Sequence, residues 1–178
     1  MQKIKIYLKI ILISFLFSIY IFEFYMTLVP ENINAKKSKI YKKKTGNDYD
    51  KRTKLEIYRD LKESDEEIVM GVFNHDALLK NKLHSLSGIS NSKTLVCNEN
   101  GYYMIYLSDR YGFNNPDSEW NEKEIEYLLL GDSFVQGLCV NSPDDISSSL
   151  RNISKKSVLN LGYAGNGPLS EFATLKEY

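Results

Sequence analysis

Histidine and cysteine are scarce in this sequence, with two residues of each among 178. No cluster of histidines, cysteines or paired carboxylates has the spacing of a metal site, so we expect no metal centre. Two cysteines are also too few for a disulfide framework. We therefore expect Cys97 and Cys139 to be buried free thiols, although they could pair if the domain lies outside the cytoplasm, where disulfides persist.

The sequence also lacks an excess of charge of either sign, because 23 lysines and arginines balance 23 aspartates and glutamates. A neutral chain gives no reason to expect nucleic acid as a partner. The stretch GDSFVQG at residues 131–137 contains two glycines but lacks the Gly-Lys-Ser/Thr ending of a phosphate-binding loop. We expect no cofactor, and the protein partners stay unknown.

One long apolar run follows a short N-terminal segment, residues 1–9. Residues 10–29 contain 16 apolar residues out of 20, and a helix of that length spans about 30 Å, the thickness of a bilayer core. We interpret 10–29 as an uncleaved transmembrane anchor. A cleaved signal peptide is the main alternative, since lysines at positions 3, 5 and 9 form a basic start. A buried helix of a soluble protein is the other.

A basic segment follows the apolar run. Residues 30–50 show no periodic apolar pattern and include six lysines within 36–44, so we expect a solvated linker. A patch that contacts anionic lipid headgroups is the alternative. Lysines flank both ends of the run, so the positive-inside rule does not settle the topology. We expect a single-pass membrane protein whose domain is extracytoplasmic, in the periplasm.

Residues 51–124 are predicted to form an N-terminal extension with a helix and a hairpin. Leu55, Tyr58 and Leu61 have helical spacing within 51–64. Asn100-Gly101 lies between two strand-like runs in 95–108, which is the strongest short hairpin signal. Residues 108–120 are rich in turn residues and predict an ordered loop, in which Asp109 and Arg110 would form a structural ion pair.

Residues 125–178 show a different pattern, in the order strand, helix, strand, helix. EIEYLLL at 124–130 fits a strand covered on both faces. The next helix has Ser142 as candidate N-cap, Pro143 at its first position, and Asp144 and Asp145 in its first turn. SVLNLG at 157–162 predicts a second strand, and Pro168 starts another helix. This order predicts a right-handed parallel unit of an α/β sheet.

Glycines and one serine follow the two predicted strands. Ligands of a parallel sheet bind beyond the carboxyl ends of its strands, where Ser133 and the loop 162–167 would meet. Gly131 and Gly137 would let the turn pack closely, and Gly165 or Gly167 would let a backbone N–H approach a ligand. Two such N–H groups could hold the oxyanion of a tetrahedral intermediate.

Two blocks of this region resemble a known family. GDSFVQG at 131–137 and NLGYAGNGP at 160–168 resemble the first two blocks of the SGNH (GDSL-type) hydrolases. The preceding CNENGYYMIYLSDRYGFNNPDSEW at 97–120 resembles the segment ahead of the catalytic block in membrane-anchored bacterial members. The resemblance implies a three-layer α/β/α parallel sheet, of which only the N-terminal strand-helix units would be present. It implies Ser133 as nucleophile, with the N–H groups of Ser133 and Gly165 as oxyanion donors. The supporting residues would be Gly131, Asp132, which shapes the turn, Gly137, Asn160, Gly162 and Gly167.

The chain departs from the family pattern where the remaining catalytic groups belong. The block that supplies an oxyanion asparagine and the final Asp-x-x-His block are absent, and His75 and His84 both precede Ser133. We therefore expect a partial SGNH domain at 125–178, an N-terminal fragment that is inactive by itself. The full enzyme would be an ester hydrolase acting through an acyl-enzyme, deacetylating a glycan. The alternatives are a glycan O-acyltransferase with the same serine chemistry and a non-catalytic, membrane-tethered binding protein.

Overall fold

A computed structural model describes residues 2–28, 33–71 and 85–178. Both histidines, His75 and His84, lie outside the described residues.

The apolar run forms one long helix, α1 (Gln2–Leu28). Its stretch Ile4–Leu28 has 25 residues and a mean hydropathy of 2.0, and none of it is buried within the protein. By length and composition this helix can cross a membrane, and it begins eight residues earlier than the predicted anchor at residue 10. A fully exposed apolar helix would expose its side chains to water unless lipid or protein covers it.

The segment expected to be a linker contains a second helix, α2 (Ile33–Thr45). Lysine is a good helix former, so a lysine-rich stretch can be helical without an apolar period. The next helix, α3 (Lys54–Ser64), confirms the prediction for 51–64. It begins with a capping box, in which Thr53 Oγ1 accepts from the Glu56 N–H at 3.3 Å and Glu56 Oε2 accepts from the Thr53 N–H at 2.6 Å.

A three-stranded sheet follows. Strand β1 (Ile68–Met70) pairs in parallel with β2 (Lys93–Leu95), which pairs antiparallel with β3 (Ile105–Leu107). The β2–β3 pair is the predicted hairpin, and Gly101 in its connection has φ +94°. One apolar cluster joins this sheet to α3 through Ile57, Ile68 and Leu95.

The turn-rich segment after β3 is ordered and ends in a 3₁₀ helix (Asp117–Asn121). The predicted ion pair between Asp109 and Arg110 is wrong, because Arg110 pairs with Asp117 at 2.7 Å. The Asp109 carboxylate is fully buried and accepts four hydrogen bonds from uncharged donors: the N–H groups of Tyr111 and Phe113, Asn115 Nδ2 and Trp120 Nε1. A buried carboxylate needs such a set of donors to stay in the interior.

The last part of the chain has the predicted strand-helix order. Strand β4 (Tyr127–Leu129), the short helix α4 (Ser133–Gln136), helix α5 (Ile146–Ser154), strand β5 (Val158–Asn160) and helix α6 (Pro168–Glu177) follow one another. β4 and β5 pair in parallel, in the register Leu128 with Leu159. Proline occupies the start of α6, as predicted. The described residues thus form a mixed α/β structure with two small sheets, one mixed and one parallel.

Two predictions for this region are wrong in detail. Helix α5 begins three residues after Pro143, because Asp145 is its N-cap and accepts from the Ser148 N–H at 2.8 Å; Ser142 and Pro143 precede the helix. Strand β4 is not covered on both faces by the described residues, since Tyr127 and Leu128 are 39% and 43% exposed. Strand β5, by contrast, is buried along its whole length.

Side chains close the edge of β5 that faces away from β4. Glu119 Oε2 accepts from the Val158 N–H at 3.0 Å, and Asn115 Oδ1 accepts from the Asn160 N–H at 2.9 Å. Arg151 donates to the Val158 carbonyl and pairs with Glu119 at 3.0 Å. Burial lowers the pKa of Arg151, but an arginine remains charged in any case. These contacts satisfy backbone groups that a neighbouring strand would otherwise bond.

Candidate active site

The loops that follow β4 and β5 lie side by side at the carboxyl end of the two-stranded sheet. The strand pairing continues into them, since the Leu161 N–H donates to the Leu129 carbonyl at 2.8 Å and the Tyr163 N–H donates to the Gly131 carbonyl at 3.1 Å. The first loop leads to Ser133 and the second to Gly165. The structure therefore brings together the two regions that the sequence predicted to meet.

Ser133 is the first residue of α4, and Asp132 caps that helix. Asp132 Oδ1 accepts from the Phe134 N–H at 3.0 Å, and the Asp132 carbonyl accepts from the Gln136 N–H at 3.0 Å. These bonds fix the turn in which Ser133 sits, which is a supporting role for Asp132. Ser133 itself is partly exposed, and its N–H donates to no acceptor within 2–28, 33–71 and 85–178.

Two glycines allow close contacts around α4. A Cβ on Gly162 would lie 2.5 Å from the Gln136 nitrogen and 2.7 Å from the Val135 carbonyl carbon, and one on Gly131 would lie 2.5 Å from Val135 Cγ2. A side chain at Gly162 would force the two loops apart, and one at Gly131 would clash with α4 within the first loop. Gly137 ends α4 at φ +76°, which is the left-handed conformation of a helix C-terminus.

The other two glycines differ in their surroundings. Gly165 has φ +87° and is exposed, and its N–H donates to no acceptor in the described part of the chain. Gly167 precedes α6 as its N-cap, and a Cβ there would meet nothing within 4 Å. The structure therefore leaves the Gly165 N–H open for a ligand, whereas Gly167 starts a helix.

Gln136, which the sequence did not single out, ties the two loops to each other. Its side chain is buried, with Oε1 accepting from the Ala164 N–H at 2.9 Å and Nε2 donating to the Tyr106 hydroxyl at 3.4 Å. Its carbonyl accepts from Asn114 Nδ2 at 2.9 Å. The only sequence signal for this role is a glutamine on the short helix between apolar neighbours, and a glutamine is rarely buried without such partners.

Asn160 is the second buried amide that joins the loops. Its Oδ1 accepts from the Gly162 N–H at 2.8 Å, while Nδ2 donates to the Val135 carbonyl at 2.6 Å and to Ser147 Oγ at 3.2 Å. These bonds connect β5 with α4 and α5.

A cavity of about 380 Å³ opens beside Ser133. The residues that line it include Ser133, Phe134, Leu138, Val140, Glu99 and Asp144. Phe134 is 80% exposed and offers an aromatic face at the rim. A larger cavity of about 560 Å³ lies between β3 and α5. Ser133 does not line that cavity, so we place the candidate active site at the smaller one, which contains the serine.

Asp145 closes the inner side of this cavity and fixes the start of α5. Burial opposes ionisation of its carboxyl group, but hydrogen bonds from Ser147 and Ser148 outweigh that effect and hold its pKa below the ordinary value. Asp145 is therefore a structural carboxylate near neutral pH. Burial raises the pKa of Tyr163, in the second loop, to about 12, so this phenol is protonated near neutral pH.

A disulfide joins the hairpin to this site, so the expectation of two free thiols is wrong. Cys97 and Cys139 are bonded, with their Cα atoms 5.2 Å apart. Cys139 lines the Ser133 cavity, and its carbonyl accepts from Asn100 Nδ2 at 3.3 Å. The bond brings residues 42 apart in sequence together, a contact that local sequence patterns do not reveal.

Within the described ranges, no side chain is hydrogen-bonded to the Ser133 hydroxyl, and no group of three or more histidines, cysteines or carboxylates could hold a metal ion. The arrangement thus offers a partly exposed serine, two open N–H groups and a cavity. Comparison of the chain with models of protein families, with curated proteins and with solved structures found no significant match.

Proposed function

We propose that this chain carries the nucleophile and part of the oxyanion site of an SGNH-type ester hydrolase with a three-layer α/β/α fold. The observation that carries the proposal is the pair of open N–H groups, of Ser133 and Gly165, on two loops that Gln136 and Asn160 hold together. Preorganised donors of this kind stabilise a tetrahedral intermediate, and losing one typically raises the barrier by about 3–4 kcal/mol. The motifs at 131–137 and 160–168 support the same assignment.

The proposed reaction proceeds through an acyl-enzyme. Ser133 Oγ attacks the carbonyl carbon of an ester, its proton passes to a base, and the alkoxide leaves with a proton as an alcohol. Water then attacks the acyl-enzyme, releasing the acid and restoring the serine. We assign the base to no described residue, because none contacts the Ser133 hydroxyl. Asp132 and Asn160 position the loops and take no part in proton transfer.

We infer that the acyl group is small and that the alcohol is a sugar hydroxyl. The cavity at Ser133 has a volume of about 380 Å³ and is partly open, with Leu138 and Val140 in its wall and the exposed ring of Phe134 at its rim. Sugars commonly bind with an apolar face against such a ring. An O-acetylated glycan therefore fits this surface better than a long acyl chain, which would need a deep apolar tunnel.

We also propose that α1 anchors the protein in a membrane with the domain outside the cytoplasm. The length and apolar character of α1 support the anchor. The disulfide between Cys97 and Cys139 supports the location of the domain, since such bonds form and persist in oxidising compartments.

Covalent labelling tests the assignment of Ser133. The full chain, reconstituted in detergent, is incubated with a small fluorophosphonate, and the intact mass and peptide map are measured. Because no described residue acts as a base, we expect slow labelling that needs excess reagent, with one adduct, on Ser133, and none in Ser133→Ala. Ser142→Ala should be labelled like the unchanged protein. A folded protein that gains no adduct under these conditions, or gains it elsewhere, would show that Ser133 is not the nucleophile.

A non-catalytic, membrane-tethered binding protein is the second candidate, because no described side chain accepts the proton of the Ser133 hydroxyl. It predicts that an acetylated glycan binds the unchanged protein and Ser133→Ala equally and that no acetate is released. Binding without labelling would thus favour this candidate over the hydrolase.

A further inference from the structure

Helix α2 is the most strongly basic element of the described chain. It has six lysines and no acidic residue among its 13 positions, and only four residues separate it from the end of α1. Five residue steps reach at most about 18 Å, so the first turn of α2 stays close to the end of α1. The lysines are therefore held near the place where α1 would leave a bilayer.

One side of α2 packs on the globular part of the protein. The ring of Tyr41 covers Gly101, where a Cβ would lie 2.4 Å from Tyr41 Cε2, and it makes an edge contact with Tyr49 at 5.8 Å between ring centroids. Ser38, three residues earlier and on the same side, is also only partly exposed. These contacts fix how α2 is rotated about its axis.

The opposite side of α2 is exposed and basic. We call it the lysine face: Lys36, Lys39 and Lys43, all of which are exposed. At 100° per residue, Lys36 and Lys43 lie opposite the Ser38–Tyr41 side. Ile40 lies within the same arc and is 47% exposed. Lysines next to a membrane-spanning helix are attracted to anionic lipid headgroups.

We propose that α2 lies on the membrane surface with its lysine face against anionic lipid headgroups, and that Tyr41 transmits this orientation to the domain that carries Ser133. This inference rests on the proposed membrane insertion of α1, but not on the esterase chemistry. Headgroup attraction falls off within a Debye length, about 8–10 Å, so it acts only because α2 is tethered next to the span. The domain therefore keeps one orientation relative to the membrane surface, which a solvated linker would not impose.

The test uses the full chain in vesicles with an environment-sensitive fluorophore on Ile40→Cys. A matched control carries the fluorophore on Ile153→Cys, which is 83% exposed on α5, away from α2. One vesicle is pure phosphatidylcholine, and the other is an equal mixture of phosphatidylcholine and phosphatidylglycerol. Vesicle flotation establishes insertion separately in each lipid.

We expect the label at position 40 to shift to the blue and to become several-fold less accessible to iodide in the anionic vesicles, and to lose both effects in high salt. The triple variant K36Q/K39Q/K43Q should abolish the response, and K36R/K39R/K43R should keep it. Equal accessibility in the two lipids, with the protein floating in both, would overturn the proposal. Shielding by soluble nucleic acid without shielding by anionic lipid would overturn it too. Failure to float in either lipid would instead refute the anchor.

Discussion

Gln136 Oε1 accepts a hydrogen bond from the Ala164 N–H at 2.9 Å, and this bond links the helix that begins with Ser133 to the loop that presents Gly165. Both partners are buried. In such surroundings a hydrogen bond is costly to leave unmade, because neither group can turn to water. The relative position of the two open N–H groups therefore depends on a residue that touches neither of them.

Replacing Gln136 by leucine should destabilise the domain and disturb the site. The Ala164 N–H would be buried without an acceptor, which costs about 1–3 kcal/mol. We expect a lower denaturant midpoint and slower labelling of Ser133. Phe134→Ala, on the same helix but 80% exposed, should change the stability by no more than about 0.5 kcal/mol. Equal stability of Gln136→Leu and Phe134→Ala would contradict the role given to Gln136.

Gly162 and Gly167 provide a matched pair for testing the contact between the loops. Gly162→Ala would place a Cβ 2.5 Å from the Gln136 nitrogen, and overpacking against backbone typically costs about 1–3 kcal/mol. Gly167→Ala meets nothing within 4 Å and should cost less, at most about 1 kcal/mol, because alanine is a poorer N-cap than glycine. Thermal unfolding followed by circular dichroism compares the two. If Gly162→Ala unfolded at a higher temperature than Gly167→Ala, α4 and the second loop would not be in contact.

Asp145 should make the stability of the domain dependent on acid pH. Its folded-state pKa lies below the ordinary 3.8, so its ionised form contributes its full stabilisation above about pH 4. That contribution is lost as the pH falls through the folded value. Asp145→Ala should cost about 1 kcal/mol at neutral pH, as the loss of an N-cap does.

The pH profile distinguishes this effect from simple loss of packing. The difference in unfolding free energy between Asp145→Ala and the unchanged protein should shrink below pH 4. Asp144→Ala, which changes the exposed neighbouring residue, is the control. Its free energy of unfolding should stay close to that of the unchanged protein at every pH. A difference that stays constant from neutral to acid pH would show that the Asp145 charge is not what stabilises α5.

Reducing the disulfide should loosen the wall of the Ser133 cavity. Cys97 and Cys139 are 42 residues apart, and closing a loop of that size in the unfolded chain is worth about 4 kcal/mol in the chain-entropy account. Mild reductant should add two hydrogens by intact mass and lower the unfolding temperature, and C97S/C139S should unfold at the same lower temperature and ignore reductant. Unchanged mass after reduction of the unfolded protein would mean that the cysteines are not paired.

The sequence predicted the features that local signals control. Proline at 168 starts α6, Asn100-Gly101 lies in the hairpin connection, and the apolar run before Gly131 forms β4. Each of these signals acts within a few residues. The parallel pairing of β4 and β5 also followed, because a helix joins the two strands.

The contacts that complete the site join residues far apart in the chain, and local sequence patterns do not predict such contacts. Gln136 reaches Ala164, Asn115 reaches Asn160, and Cys97 reaches Cys139. The start of α5 was misplaced because Ser142 and Asp145 are both good N-caps by residue type, and only the bond to Ser148 decides between them. Helix α2 was predicted to be a linker because its sequence has no apolar period. The helix packs instead through a long-range contact, that of Tyr41 with Gly101.

The most direct test of the account is whether the amides of Ser133 and Gly165 sense one ligand. The full chain, labelled with ¹⁵N, is converted to its Ser133 phosphonate adduct, and the two backbone amide resonances are followed as the adduct forms. The account predicts that both resonances shift together, in proportion to the adduct, because both N–H groups bind the same phosphonyl oxygen, while the Gly167 amide stays nearly unchanged. An adduct that moves the Ser133 resonance and leaves Gly165 where it was would contradict a shared oxyanion site.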